Sequence, residues 1–523
     1  MGEISRRDFL KASGAGAVLL GGGSALAACG SSPSSSTSST IKTSAPHRGG
    51  TLRVGMTGGA SSDTLDSQAI VENLDVARTC QLNENLCTYN ADAQVELVLA
   101  EEVTPNADGT EWTIRLRPGV TFHNGKDLTA EDVIFSFRRI ANPKHPLDGG
   151  AGLAPVDLTS LKQLDPLTVR VSCTSPFASF YDTLATICDY SIVPVGYDQL
   201  KPVGTGPFKY KTFSPGVESL FTRNENYWIE GLPYLDAVMI SDFADETAQI
   251  NALAANQLDA APLLSPPSIP QVKSGGGHVV ISDGGGITPF TMRVDVPPFS
   301  DVRVRQAMRL VVDRPQMLKL LFEGYGTIGN DIACIWDPAY DRSIPQREQN
   351  LDKARSLLKQ AGHEGLSVEL VTSNIAQGTV AAATVLAQQA SAAGMTINLR
   401  NVTGSEIFGP NYLKWLFAQD FYSYQVYLVQ AALCALPSSP FNECHQDFPR
   451  YNSIYSEALR TVDVERRNEL VHELQLIDYD MGGYIIPYFP PVIDGYRSSL
   501  QGVIPSKTGV SFNNFDFRRF SLA

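Results

Sequence analysis

The sequence predicts an α/β protein of more than one domain, and three observations carry that reading. Stretches with strand patterning, such as Glu111 to Arg117 and Val368 to Thr372, take turns with stretches of helical period, such as Leu351 to Ala361. Of the 523 residues, nearly five hundred remain once a leader is set aside, too many for one core and enough for two or three. Finally, 43% of the residues are hydrophobic and only 18% charged, the balance of a chain that folds into a packed body.

The chain begins with Ser5-Arg6-Arg7-Asp8-Phe9-Leu10-Lys11 and an apolar, Gly- and Ala-rich stretch from Ala12 to Ala28 that is too short to span a bilayer and reads as an export signal, residues 1–28. The paired arginines with Phe-Leu-Lys resemble a twin-arginine signal; an ordinary secretory signal with two arginines in its basic region is the alternative. Leu26-Ala27-Ala28-Cys29 resembles a lipobox, which implies that Cys29 becomes a lipid-modified N-terminus, each buried methylene contributing about 0.8 kcal/mol to the anchor. An incidental cysteine beside a signal-peptidase site is the alternative there. Residues 29–46 are Ser/Thr-rich without apolar period and are expected to form a flexible tether.

The folded part opens with a strand at Gly49 to Met56, followed by a helix over 72–88 with Leu74, Ala77, Leu82 and Leu86 on one side. Glu111 to Arg117 alternates strictly and is a strand ended by Pro118-Gly119. Thr129-Ala130-Glu131-Asp132 is a capping box opening a helix whose buried stripe is Val133, Phe137 and Ile140. Val238 to Ile240 is a strand, and Asp245 caps the helix after it. Asp301 to Val312 is a helix, and Asp313-Arg314-Pro315 starts the next, since proline suits a first turn. Leu351 to Ala361 is a helix stopped by Gly362. The strand Val368 to Thr372, the helix Val380 to Ala393 with Gly394 at its end, and the strand Thr396 to Val402 follow in turn. The glycine runs at 275–277 and 284–286 read as loops.

The formal charge is −14, near −15 without the leader, which carries three basic and two acidic residues. This balance argues against binding nucleic acid or anionic lipid through charge. Seven cysteines follow Cys29. Cys173 with Cys188, and Cys434 with Cys444, are close enough in sequence to pair in an oxidising compartment. Cys80 and Cys87, seven apart on the expected helix, would lie roughly 10 Å apart and out of disulfide reach. No spacing matches C-x-x-C, so structural zinc is not expected; the seven histidines are scattered, so no other metal is expected either, nor a cofactor.

Residues 99–139, LAEEVTPNADGTEWTIRLRPGVTFHNGKDLTAEDVIFSFRR, resemble the signature stretch of the family 5 extracellular solute-binding proteins, the oligopeptide, dipeptide and nickel binders of ABC importers. Pro202-Val203-Gly204-Thr205-Gly206-Pro207-Phe208, Arg223-Asn224-Glu225-Asn226-Tyr227-Trp228 and Pro297-Pro298-Phe299-Ser300-Asp301 leading into Val304-Arg305-Gln306-Ala307 continue the resemblance, with Asp313-Arg314 and the late Tyr451-Asn452. It runs from about residue 49 to the C-terminus. It implies a two-lobed, periplasmic-binding-protein-like (class II) fold that closes over a solute: lobe I at 47–90, 200–295 and 486–523, an extra subdomain of that lobe at 91–199, and lobe II at 296–485. It also implies permease and ATPase partners, a monomer, and no catalysis. A signalling or chaperone protein using the same fold is the alternative.

Peptide binders of this family commonly place an Asp in a Trp- and Asp-containing segment of lobe II, against the α-amino group. Here the comparable region is Trp415 to Gln425, where Asp420 matches an earlier Asp of the pattern and the later one is missing. A buried ammonium with no anionic partner loses several kcal/mol, about 3–5, which puts a free-N-terminus peptide in doubt. Trp415, Phe417, Asp420, Phe421, Tyr422 and Tyr424 are the candidate ligand-binding residues, their rings fitting an apolar, ring-bearing or sugar solute; ordinary packing is the competing role for each ring. Tyr427 extends the same aromatic run. Gly204-Thr205-Gly206-Pro207 reads as a tight turn rather than a phosphate loop, because Pro207 removes an amide and no Gly-Lys-Ser/Thr follows. Trp228 reads as packing, Arg303 and Arg305 as solvated or salt-bridged, and His123 as a structural hydrogen-bonding residue.

Overall fold

The computed structural model describes residues 46–70, 73–145 and 147–523. The signal, Cys29 and all of the tether but Pro46 lie outside the described residues. Thr51–Thr57 runs inside a seven-stranded mixed sheet with spatial order Gly277–Asp283, Pro491–Arg497, Ala260–Ala261, Thr51–Thr57, Ala237–Phe243, Glu218–Arg223, Phe208–Ser214. It pairs in parallel with Ala237–Phe243, Leu52 opposite Val238 and Val54 opposite Ile240, all four fully buried. Two apolar clusters pack against this sheet. One joins helix Asn73–Leu82 to Phe512, Phe515, Phe517 and Phe520 near the C-terminus, and the other gathers Ile250, Leu253, Ile269 and Val272. Arg78, fully buried, ties the helix down through Asp63 at 2.8 Å, Asp75 at 3.2 Å and Asp242 at 2.9 Å.

The helix expected over 72–88 stops at Leu82. The Leu82 carbonyl is taken by the Gly206 N–H at 2.9 Å, and Cys87–Tyr89 turns into a strand paired with Val95–Leu97. Apolar spacing continued to Leu86 although the helix did not, because Leu86 is buried from an extended segment instead.

A four-stranded antiparallel sheet, Ala100–Pro105, Glu111–Leu116, Thr168–Ser172 and Lys162–Asp165 in that order, carries helix Ala130–Ile140. Val133, Phe137 and Ile140 are fully buried in its core. The capping box forms: the Asp132 carboxylate accepts the Thr129 N–H at 3.0 Å and hydroxyl at 2.8 Å. Asp245, Asp301, Asp313 and Asn350 cap their helices by accepting the N–H of Ala248, Arg303, Gln316 and Lys353. Leu351–Ala361 ends at Gly362, which takes φ +74°, the left-handed conformation that glycine adopts without strain.

Later in the chain come the parallel pair Ser367–Thr372 with Thr396–Asn401, and a three-stranded sheet in which Phe290–Met292 lies between Phe417–Gln419 and Tyr484–Ile485. Phe290–Met292 was expected in lobe I, but its backbone hydrogen bonds place it with these later strands. Tyr488–Phe489, also expected in lobe I, pairs with Thr327–Ile328. The chain therefore leaves the seven-stranded sheet after Asp283 and re-enters it at Pro491, so two short segments, 284–289 and 486–490, are its crossings. Of the glycine runs, Gly277 opens a strand, and Gly284 to Gly286 form the first crossing.

Neither expected cysteine pair forms. Cys188 meets Cys80, sulfur to sulfur at 3.3 Å, and the Cys434 sulfur meets the Gln430 carbonyl at 3.2 Å. Cys87 is on a strand rather than sharing a helix with Cys80. No helix among the described residues is long and apolar enough to cross a membrane.

Candidate functional site

The first crossing needs glycine. A Cβ on Gly285 would sit 2.5 Å from Tyr424 Cδ2 and 3.0 Å from Trp336 Cδ1. Beside it, Ile287 and Tyr422 exchange backbone hydrogen bonds at 2.9 Å, so residues 421–425 run alongside the crossing. This carries Tyr424 onto the other half of the molecule: its ring meets Tyr89 edge-on at 5.3 Å, and its hydroxyl donates to the Ala93 carbonyl at 3.4 Å. Trp336 donates its indole N–H to the Asp283 carbonyl at 2.8 Å, and the Lys507 ammonium lies 5.3 Å above its ring. Farther along the same junction, Ala178 N–H donates to the Leu459 carbonyl at 2.9 Å and Gln377 reaches the Leu264 carbonyl at 3.5 Å. The halves are in contact, a closed arrangement.

Charge at this junction is unusual. Asp337 is half-buried and accepts the Ala339 and Tyr427 N–H groups, the second at the start of helix Tyr427–Cys434. Burial raises its carboxyl above the usual range despite these bonds. Asp182, on helix Phe180–Leu184, is pushed up to about 7 by burial, reinforced by the charge of Asp337 and opposed by Arg467. Two acidic groups from opposite sides of the junction thus lie within reach of each other's charge. Gln425, next to Tyr424, buries its Oε1 with no hydrogen-bond partner.

The six candidate residues separate in the structure. Phe417 is fully buried in a core strand against Phe290 and Phe299. Trp415 donates to the Ile407 carbonyl at 2.9 Å under the Arg400 guanidinium. Asp420 is buried, accepts the Tyr412 hydroxyl at 2.8 Å and its neighbour Phe421 N–H at 2.7 Å, and abuts Glu443, which accepts from Tyr422 at 2.6 Å and Tyr484 at 2.8 Å. Burial raises both carboxyls, Glu443 strongly. Asp420 thus belongs to an internal acid–tyrosine cluster. Tyr422 and Tyr424 flank the crossing, and Phe421, 45% exposed, joins Phe408, Tyr412 and Phe441 in an aromatic patch of edge-on and tilted rings.

Sequence reasoning passed over Glu84, Asp182, Asp337 and Gln425. Glu84 accepts Thr205 at 2.9 Å, Tyr227 at 2.6 Å and Trp228 at 2.9 Å, gathering residues from two of the quoted motifs. Trp228 is therefore a packing and anchoring residue. His123 accepts the Gly204 N–H at Nδ1 and bonds the Gly206 carbonyl through Nε2, and burial lowers it to about 4, so it is a neutral structural histidine. Arg303 pairs with Asp301 as expected, but Arg305 is buried and donates to the Phe299, Met481 and Gly482 carbonyls.

A family model described as bacterial extracellular solute-binding proteins, family 5, matches residues 94–432. The chain belongs to this family. Among curated proteins, this family 5 chain is 26% identical over 483 residues to the glutathione-binding protein GsiB of Salmonella typhimurium, covering 88% of this chain and 93% of that one. Its fold matches the ABC transporter substrate-binding protein CtaP of Listeria monocytogenes at TM-score 0.79 and 19% identity, over 91% of this chain and 99% of the other. DppA of Helicobacter pylori in complex with the peptide STSA matches at TM-score 0.77 and 20% identity, over 91% and 98%. The two-lobed, mixed α/β fold expected of a family 5 protein is thus the fold found, and members of the family are solute-binding proteins.

Proposed function

We propose that this chain captures a peptide or another small organic solute outside the cytoplasm by hinge closure and delivers it to the permease and ATPase of an ABC importer, without catalysis. The observation that carries the reading is the pair of crossings at 284–289 and 486–490, which leaves the part between them free to pivot against the seven-stranded sheet. In this reading lobe I, its 91–199 subdomain and lobe II follow the expected order, with the lobe boundaries drawn at the crossings. The solute lies where Tyr424, Trp336, Asp182, Asp337 and Gln425 converge, and the Phe421 patch borders the entrance. The relatives' ligands, glutathione and a peptide, fit a site with an unpartnered amide acceptor and flat rings. Twin-arginine export, a lipid on Cys29 holding the body through the tether at the outer face of the cytoplasmic membrane, and a monomeric state complete the proposal.

The test is native mass spectrometry of the exported protein, to find a retained solute, followed by thermal shift against peptide, sugar and metallophore pools. A ligand at a hundredfold its Kd raises stability by about 2.7 kcal/mol. A retained small molecule or a clear shift supports capture. A folded protein with neither shifts the reading to a signalling or chaperone role.

A further inference from the structure

We propose that Cys80 and Cys188 form a disulfide in the exported protein, tying the first lobe to its extra subdomain. The two sulfurs lie 3.3 Å apart although the residues are 108 positions apart in the chain. Closing to the roughly 2.05 Å of a bond needs a side-chain adjustment of little more than an ångström. Cys80 is near the end of helix Asn73–Leu82, packed on the seven-stranded sheet, while Cys188 belongs to the segment leading to Ile192 and Val193, whose backbone is bonded to Glu84 and to Ser136 of helix Ala130–Ile140. The link therefore joins two separate cores. Both cysteines also line a cavity of about 130 Å³ whose wall includes Asn83, a buried side chain with neither amide atom partnered. Elsewhere the sulfurs meet oxygens instead: the Cys87 sulfur meets the Tyr181 carbonyl and the Cys434 sulfur meets the Gln430 carbonyl.

The chemistry needs a disulfide oxidant, either a small-molecule disulfide or a thiol oxidoreductase of the extracytoplasmic space, where family 5 proteins work. Cys80, the more exposed of the two, attacks the oxidant as its thiolate, forming a mixed disulfide and releasing one thiol. Cys188 then gives up its proton and attacks Cys80 Sγ, expelling the second thiol. Two S–H bonds are lost and one S–S bond gained, and the oxidant's disulfide leaves as two thiols. In the resting protein the hydrogen bond to Cys80, together with burial, holds the Cys188 thiol well above its ordinary value.

The experiment takes the full-length protein from the cell envelope, blocks free thiols under denaturing, non-reducing conditions, and maps the peptides before and after reduction. A parallel sample is first treated with hydroxyethyl disulfide. The expected result is a Cys80–Cys188 cross-linked peptide in both, with Cys87, Cys173, Cys334, Cys434 and Cys444 blocked directly. In Cys188→Ser, hydroxyethyl disulfide leaves a mixed disulfide on Cys80. Reduction lowers the Tm of the wild type by about 5 °C and leaves Cys80→Ala/Cys188→Ala unchanged, the response of a tie that closes a loop of this length. Direct blocking of Cys80 and Cys188 in the oxidant-treated sample, or a cross-link joining Cys434 to Cys444 in their place, overturns the proposal.

Discussion

Glu84 shows at the residue scale what motif reading misses. Thr205, Tyr227 and Trp228 stand out in the sequence, yet the residue that brings them together is a carboxylate between two asparagines, 121 positions before the first of them. Nothing in local pattern marks it, because its partners are distant in the chain. Glu84→Ala takes the acceptor from two buried hydroxyls and a partly buried indole N–H and is expected to cost about 3–5 kcal/mol, read as a lower urea midpoint; Glu84→Gln, which keeps an acceptor, loses about 1 kcal/mol. Asp182 makes a pH-dependent prediction. Its folded value, about 7, lies above the ordinary 3.8, so its stabilising share is complete below 3.8 and is lost as pH rises through 7. Wild-type Tm should therefore fall across that window, while Asp182→Asn, which cannot ionise beside Asp337, should melt higher than wild type at pH 8 and no higher at pH 4. Equal melting at pH 8 would show that the charge is relieved by Arg467 alone.

At the scale of elements, local chemistry was legible wherever it was self-contained. The caps at Thr129, Asp245, Asp301 and Asp313 depend on side chains three positions or fewer from the amides they satisfy, and each was readable from spacing, whereas the Asn350 cap, of the same local kind, was passed over. The helix end at Leu82 was not, since it is set by the Gly204–Pro207 turn packing in from elsewhere: a Cβ on Gly206 would meet the Gln81 carbonyl at 2.5 Å. The candidate site divides the same way. The aromatic run drew attention to the right segment, but only tertiary contacts separate Phe417, a core residue, from Tyr424, which crosses to Tyr89. Gly285 tests the crossing itself. Gly285→Ala drives a methyl into Tyr424 and Trp336 in the closed arrangement, a clash of about 1–3 kcal/mol, so solute affinity by titration calorimetry should fall about tenfold while the unfolding midpoint of the seven-stranded core holds.

For the whole molecule, the proposed hinge closure requires an open counterpart of the closed contacts. Small-angle scattering of the body should give a radius of gyration of about 23 Å with solute bound and a larger one without it. Tyr424→Ala removes the ring packed on Tyr89 and the bond to Ala93, and should move the solute-free form further toward the larger value; an unchanged radius would mean that Tyr424 does not hold the halves together. The order of the seven-stranded sheet has one more consequence, for biogenesis. Pro491–Arg497 is the strand that connects Gly277–Asp283 to Ala260–Ala261 and the rest of the sheet. While a ribosome is still making the first 490 residues, Gly277–Asp283 has no neighbour to pair with and the central strands end in an open edge. The seven-stranded sheet can be completed only after Pro491–Arg497 has emerged, by which time residues 284–490 are already out and have had time to fold. A chain cut before Pro491 would expose that edge to other chains rather than settle into a smaller working protein.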